Sequence, residues 1–350
     1  MYSGNTPSRI NKELFNGTIN WISSGELKEH YIYSTKERIS QEAANNLKLL
    51  SIGTFVIAIY GLEAEGVRGT GSITQEPSTI SQACMAFTPK GEITNEFLYS
   101  WYKKHGHVIG VKYAQGTKQQ NLSYDILEKF KISYPNAKEQ DKLNLFFSLL
   151  DKRISTQNKI IEDLKKLKSA ISERLFKNIK GDVITLSEIC DIVKGKQING
   201  EYLTESGEYY VMNGGTEPSG YYGDYNVDAN TISISEGGNS CGYVQFNTSP
   251  FWSGGHCYSI QNIADHVDNL YLYHYLKSNE EVIMRLRIGS GLPNIQKKDL
   301  TMFKIKVPTF EQQITISTFL SSLERKAEIE ERIQNAMLKG KQFLLRQMFI

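Results

Sequence analysis

The chain has 350 residues, 40% of them hydrophobic and 22% charged, and its 40 Lys and Arg nearly balance 38 Asp and Glu for a formal charge of +2. There is room for two domains of ordinary size, and bulk basicity is excluded as the basis of any nucleic-acid binding, which has to come from local clusters. Cys84, Cys190, Cys241 and Cys257 form no CxxC pair, the start MYSGNTPSRI is polar, and the best apolar run, Leu49 to Leu62, is too short for a bilayer, so the expectation is a cytoplasmic protein with reduced thiols and no membrane contact.

In chain order, a first globular segment, residues 1–135, opens on SGNTPS (Ser3 to Ser8) and NWISSGEL (Asn20 to Leu27). A strand-like run follows at Thr54 to Tyr60. The glycine cluster GVRGTG (Gly66 to Gly71) lacks the lysine of a phosphate-binding loop and reads as a hairpin. The segment closes on GTKQQNLS (Gly116 to Ser123), and a short β-rich stretch, Phe130 to Tyr134, stops at Pro135, which sets up a helix start.

Residues 136–180 contain neither glycine nor proline. Leu143, Phe147, Leu150, Ile154, Gln157, Ile161, Leu164, Lys168, Ile171 and Leu175 alternate four and three apart, which predicts one long helix with an apolar seam. The second globular segment, residues 181–308, begins with LSEICDIVKGK (Leu186 to Lys196) and has a strand-like run at Asn230 to Ser235. Tyr221, Tyr222 and Tyr225 lie beside Gly214, Gly215 and Gly220. Polar aromatics on glycine-flanked loops suit a recognition surface, and equally the core and rim of a small mixed fold. A second β-rich stretch, Phe303 to Val307, stops at Pro308, and residues 309–350 predict a second helix whose looser seam, Ile316 to Met348, carries Lys341 where the first has Lys168.

These arms are a duplication. Gly116 to Phe176 aligns without gaps on Gly289 to Phe349, with identities that include Gly116 with Gly289, Asn121 with Asn294, Gln140 with Gln313, Phe146 with Phe319 and Leu150 with Leu323. Helices of about 40 residues are roughly 60 Å long and cannot be buried in either globular segment. Each seam needs a partner, and the economical one is the other helix. The expected class is α+β: two mixed α/β domains separated by two long antiparallel helices that form a coiled-coil spacer. Exchange of the same arms between two copies of the chain would satisfy the seams as well.

Chemistry-bearing motifs are scarce. No Asn- or Asp-Pro-Pro-aromatic tetrapeptide of a DNA methyltransferase occurs, no phosphate loop, and no visible Ser/His/Asp arrangement; Cys241, His256, Cys257 and His266 lack the paired knuckles of a zinc site. The expectation is no catalytic residue, no metal and no cofactor in this chain. Candidates for nucleic-acid contact are polar loop clusters that join cations to amides and hydroxyls: Thr6, Ser8 and Arg9; Lys118, Gln119 and Gln120; Lys194, Lys196 and Gln197; and Lys297 with Lys298. Arg, Lys, Asn and Gln can pair with base edges, while hydroxyls and backbone N–H groups hold phosphates. Each cluster alone is an ordinary solvated turn; recurrence in both halves raises its interest.

With the duplication in view, the layout resembles the specificity subunit of type I restriction–modification systems over essentially the whole chain. SGNTPS and NWISSGEL look like the opening of a recognition domain of that family and GTKQQNLS like its close. KISYPNAKEQ (Lys131 to Gln140) and KIKVPTFEQQ (Lys304 to Gln313) look like the starts of its spacer helices, and LSEICDIVKGK like the start of a second recognition domain. The resemblance implies target-recognition domains at residues 1–135 and 181–308 and spacer helices at 136–180 and 309–350. It implies a non-catalytic subunit that reads a bipartite, asymmetric double-stranded DNA target and recruits two methyltransferase subunits and restriction–translocase subunits. S-adenosylmethionine, ATP and Mg are then expected on those partners. Only Met1 and Tyr2 precede Ser3, whereas Val183 to Val193 lead into the second domain, so an opening segment is missing: either the start lies upstream, or the gene copy is rearranged or shortened, in which case the first domain is expected to pack poorly. Two rivals stay open: a fragment of a fused enzyme, which would methylate or cleave DNA alone, and a coiled-coil adaptor, whose binding would lack steep salt dependence.

Overall fold

The two strand-like runs become central strands, Phe55–Ala58 and Thr231–Ser235, in a computed structural model that describes residues 1–289, 291 and 293–349. The chain divides into two units, Met1–Gln157 with Ile333–Ile350, and Asn158–Arg332. Unit 1 contains β1 (Tyr2–Ser3), β2 (Ile19–Ile22), β3 (Tyr31–Ile32), β4 (Arg38–Ile39), β5 (Phe55–Ala58), β6 (Gly71–Thr74), β7 (Ser78–Ile80) and β8 (Cys84–Phe87). Its helices are α1 (Gln41–Asn45), α2 (Asn95–Tyr113), α3 (Tyr124–Leu127) and the first half of α4 (Ala137–Asn178).

One sheet runs in the order β1-β8-β5-β6-β3 and a second in the order β4-β2-β7. β5, Phe-Val-Ile-Ala, is buried at every position, as a strand apolar on both faces requires, and α2 packs across β5 and β6. The expected hairpin holds, since β5 and β6 pair antiparallel and GVRGTG supplies the end of their connection and the first residue of β6. Phe97 of α2 meets Phe349 at 5.1 Å between ring centroids, and Phe147 of α4 meets the same ring at 5.6 Å. Burying one such ring contributes roughly 2–3 kcal/mol, and here it ties α2 to α4 through Phe349.

Unit 2 contains the second half of α4, then β9 (Asp182–Thr185), β10 (Asp191–Lys194), β11 (Tyr209–Met212), β12 (Tyr221–Tyr222), β13 (Thr231–Ser235), β14 (Val244–Asn247), β15 (Phe251–Ser253) and β16 (Cys257–Gln261). α5 (Asn269–Ser278), α6 (Glu280–Met284), α7 (Lys297–Thr301), β17 (Lys304–Val307) and the first part of α8 (Phe310–Met348) follow, the rest of α8 from Ile333 belonging to unit 1. The sheets run β10-β16-β13-β14, β12-β11-β15 and β9 with β17.

The duplication legible in the sequence begins at Gly116 and Gly289, yet the globular segments ahead of it share their topology. β5 pairs with β8 so that Ala58 faces Cys84, and β13 pairs with β16 so that Ser235 faces Cys257. In the small sheets, the parallel pairs Trp21 with Thr79 and Val211 with Trp252 correspond. Two expectations are corrected. Phe303 to Val307 becomes β17 because β9 supplies its ladder, but Phe130 to Tyr134 has no partner and forms no strand; unpaired backbone N–H and C=O groups do not make one. The first domain does not pack poorly: Phe130 and Ile132 lie against a buried cluster as extensive as that of unit 2.

The long helices start where predicted. Asn136 caps α4 through its Oδ1, which accepts the Glu139 N–H at 3.1 Å. One turn in, Gln140 is fully buried: its Nε2 donates to the carbonyls of Glu92 (3.0 Å) and Pro135 (2.8 Å), and its Oε1 accepts the N–H of Thr94, the cap of α2, at 2.9 Å. Gln313 does the same in unit 2, with His266, Pro308 and the α5 cap Asp268. The first seam buries Phe147 and Ile154 in unit 1 and Ile161 in unit 2, where Phe176 packs instead on Tyr271 and Tyr275 of α5. In unit 2 the helices run antiparallel, with Lys165 beside Glu331 and Lys168 beside Glu324; in unit 1 Phe147 meets Phe349 and Asp151 pairs with Lys341. No described helix is long and apolar enough to cross a membrane.

Candidate nucleic-acid interface

In each unit, tight loops gather at one end of the main sheet. The backbone turns after β1 and β10 are pressed on the residues ahead of β8 and β16: Asn5 N–H donates to Ile80 O at 3.1 Å, and Lys196 N–H to Ser253 O at 2.8 Å. Close approach demands glycine here, because a Cβ on Gly4 would lie 2.1 Å from Ile80 O and one on Gly195 2.2 Å from Gly254 O. The closing loops also correspond. Gln115 and Asn121 exchange backbone hydrogen bonds of 2.8 and 2.9 Å, as do Ile288 and Asn294 at 2.8 and 3.0 Å. Gly116 takes φ +106°, and a Cβ there would lie 2.1 Å from Gln119 O.

Of the predicted contact residues in unit 1, Ser8, Lys118 and Gln119 are exposed, the last two at the tip of the closing loop. The half-buried Thr6 gives its backbone N–H to Asn5 Oδ1 at 2.8 Å. Arg9 is exposed but occupied, with nitrogens 2.5 and 2.9 Å from the two Glu37 carboxylate oxygens and its guanidinium 4.4 Å from the Phe15 ring centre and 5.1 Å from that of Trp21. The same hydrogen bonding holds the Glu37 carboxyl below its usual range. Gln120 gives its N–H to Glu63 at 2.8 Å and accepts from Arg68 at 2.7 Å.

Unit 2 draws two predicted clusters together. Lys194 Nζ lies 2.6 Å from Glu236 Oε1. The Tyr258 hydroxyl lies 3.1 Å from that same oxygen and 3.1 Å from Ile295 O, just ahead of the exposed Lys297 and Lys298 in the first turn of α7. Lys196 and Gln197 are exposed, and the Lys196 carbonyl accepts the Trp252 indole N–H at 2.9 Å. The tyrosines beside the glycines take up ring contacts, Tyr222 with Trp252 at 5.2 Å and Tyr209 with Tyr225 at 4.9 Å.

Arg68, Glu236 and His256 were not among the predicted contacts. Arg68 sits in the glycine cluster read only as a hairpin, and His256 among residues weighed only for metal; Glu236 follows a strand with no signal at all. No group of three His, Cys, Asp or Glu among the described residues is arranged to hold a metal. Burial pushes the thiols of Cys84 and Cys190 up to about 12 and that of Cys257 to about 11, so they are neutral and poor nucleophiles.

The sequence profile for the Type I restriction modification DNA specificity domain matches residues 2–166 and 178–339. A type I specificity subunit of Mycoplasma genitalium is 32% identical over 165 residues, 45% of this chain and 43% of that protein. The EcoR124I/EcoR124II specificity subunit of Escherichia coli is 29% identical over 168 residues, 47% of this chain and 40% of that one. These matches span less than half the length of each relative. In fold, the crystal structure of a type I restriction–modification S subunit from M. genitalium superposes with a TM-score of 0.66 at 20% identity, covering 100% of this chain and 93% of that one. A structure from work on the assembly and conformational transition of the type I system gives 0.62 at 15% identity, covering 94% and 90%. The two profile matches, one in each half and together over most of the sequence, place this chain in the type I restriction–modification DNA specificity family.

Proposed function

We propose that the chain is the non-catalytic, sequence-reading subunit of a cytoplasmic type I restriction–modification complex. Each unit reads one half of a bipartite double-stranded DNA target through its loop end, and α4 with α8 sets the unread gap. The helices also dock two methyltransferase subunits, to which restriction–translocase subunits are added. S-adenosylmethionine, ATP and Mg serve those partners. Lys118, Gln119 and Gln120 with Thr6 and Ser8 belong to the first reading face, and Lys196, Gln197, Lys297 and Lys298 to the second; Arg9 and Lys194 border these faces but are taken up by Glu37 and Glu236.

The observation that carries this reading is one fold used twice with different chemistry at equivalent loop positions. Two copies with the same scaffold and unlike rims suit two unlike half-sites, hence an asymmetric target. The test is genome-wide adenine methylation in cells expressing the chain with its neighbouring methyltransferase gene, against cells lacking the chain. A new bipartite, asymmetric motif is expected. Lengthening a helix by insertion should alter the gap and leave both half-sites alone; an altered half-site would overturn the spacer role.

A further inference from the structure

We propose that Glu236 is a specificity-determining positioning residue, which holds Lys194 in an ion pair and so withholds it from indiscriminate phosphate contact. The inference rests on reading this loop end of unit 2 as a DNA-binding face. Glu236 follows β13 and is 8% exposed. Its Oε1 takes the Lys194 ammonium and the Tyr258 hydroxyl, while its Oε2 is buried without a hydrogen-bond partner and faces His256 Nδ1 at 3.7 Å. The Lys194 and His256 side chains are 53% and 63% exposed, so the carboxylate lies beneath two surface groups able to meet a phosphate.

The fold does not need a carboxylate there. Glu236 N–H donates to His256 O and Glu236 O accepts from Ile295 N–H; in unit 1, Ile59 N–H donates to Ala83 O and Ile59 O accepts from Leu122 N–H. Ile59 is thus the equivalent residue, 3% exposed, and by register Ser3 and Met85 stand where unit 2 has Lys194 and Tyr258. An apolar side chain satisfies the same backbone frame, so the charge serves something other than folding. A buried acceptor that competes with phosphate for a lysine penalises contacts that bring nothing else, which is how discrimination is raised without a new attractive contact.

The test is binding of the full chain to a mixed-sequence duplex of roughly 30 base pairs between about 50 and 200 mM salt. Glu236→Gln keeps the shape and an acceptor for Tyr258 but frees the lysine. It should bind this duplex about 3- to 10-fold more tightly, with a salt slope steeper by about one, the value of one added phosphate contact. Lys194→Met in the wild-type background should leave the slope unchanged, and the double variant should lose the gain. A Glu236→Gln gain that persists without Lys194, an unchanged Glu236→Gln, or a slope already lowered by Lys194→Met alone would each overturn the proposal. Should Glu236→Gln fail to fold, the Lys194→Met slope decides. Wild-type chain with no salt-dependent duplex binding would remove the DNA-reading role itself, and this inference with it.

Discussion

Lys168 Nζ lies 2.6 Å from Glu324 Oε1 across the seam of unit 2, and the residues 173 further on and 173 back, Lys341 and Asp151, form the corresponding pair in unit 1. Each arm thus gives one cation and takes one anion, a complementary pattern that fixes antiparallel register. The Tyr273 hydroxyl, 3.2 Å from Glu324, ties the unit 2 pair to α5. Both side chains of that pair are less than a third exposed. Glu324→Ala, which leaves the lysine without its counter-charge, should destabilise unit 2 by about 1–3 kcal/mol, and Lys168→Met with Glu324→Leu should recover most of it. Urea unfolding of the three proteins measures this; a double variant weaker than the single would show that the pair stabilises by more than mutual compensation.

Gln140 and Gln313 are invisible to hydrophobic patterning, yet their side chains carry four and three hydrogen bonds inside the protein. Gln313→Ala removes the side-chain partner of the His266 and Pro308 carbonyls and of the Asp268 N–H, of which the Pro308 bond is buried and the other two are part-buried. The expected loss is about 2–4 kcal/mol of stability, read by thermal unfolding. Gln313→Glu should be no milder, because a carboxylate cannot donate to two carbonyls. A loss below about 0.5 kcal/mol for either variant would mean that the helix starts are held by the apolar seam alone.

The proposed reading faces make a separate prediction about salt. Lys297 and Lys298 are exposed beside the loop cluster of unit 2, and replacing both with Ala should weaken duplex binding evenly across sequences and lower the salt slope by up to about two. Arg9→Ala should instead act through the fold, since its guanidinium is taken up by Glu37 and the Phe15 and Trp21 rings. Its slope should stay near the wild-type value while unit 1 loses stability. A slope reduced by Arg9→Ala in a fully folded protein would return Arg9 to the contact surface.

His274 on α5 is buried, 2.9 Å from Ser321 Oγ, and its imidazole is pushed down to about 4, chiefly by burial and also by Lys168, against the opposing pull of Glu324. Folded protein therefore keeps this ring neutral where the unfolded chain, with an ordinary histidine near 6.5, takes up a proton. Stability is lost as pH falls from about 6.5 towards 4 and levels off below, by about 3 kcal/mol at most. Urea unfolding at several pH values should show this slope, and His274→Gln should flatten it. An equal slope in the variant would assign the acid sensitivity elsewhere.

What the sequence by itself determined is local or repeated. The two helices, their starts after Pro135 and Pro308, the lysines in their seams and the β5–β6 hairpin rest on periodicity and turn chemistry within short stretches, where each residue's partners lie a few positions away. The duplication of the arms was equally legible, because identical columns survive at Asn121 and Asn294 or Gln140 and Gln313. The tertiary structure decided the strand order that the two globular segments share, since it depends on backbone pairing that many β-forming sequences satisfy. It alone decided that Phe130 to Tyr134 lacks the ladder β17 obtains from β9. It also decided the fate of the charges: Arg9 goes to a glutamate 28 residues away and Lys194 to one 42 residues away. Ion pairs between distant positions leave no period in a sequence, so which exposed basic residues lie outside ion pairs is settled only when the chain has folded.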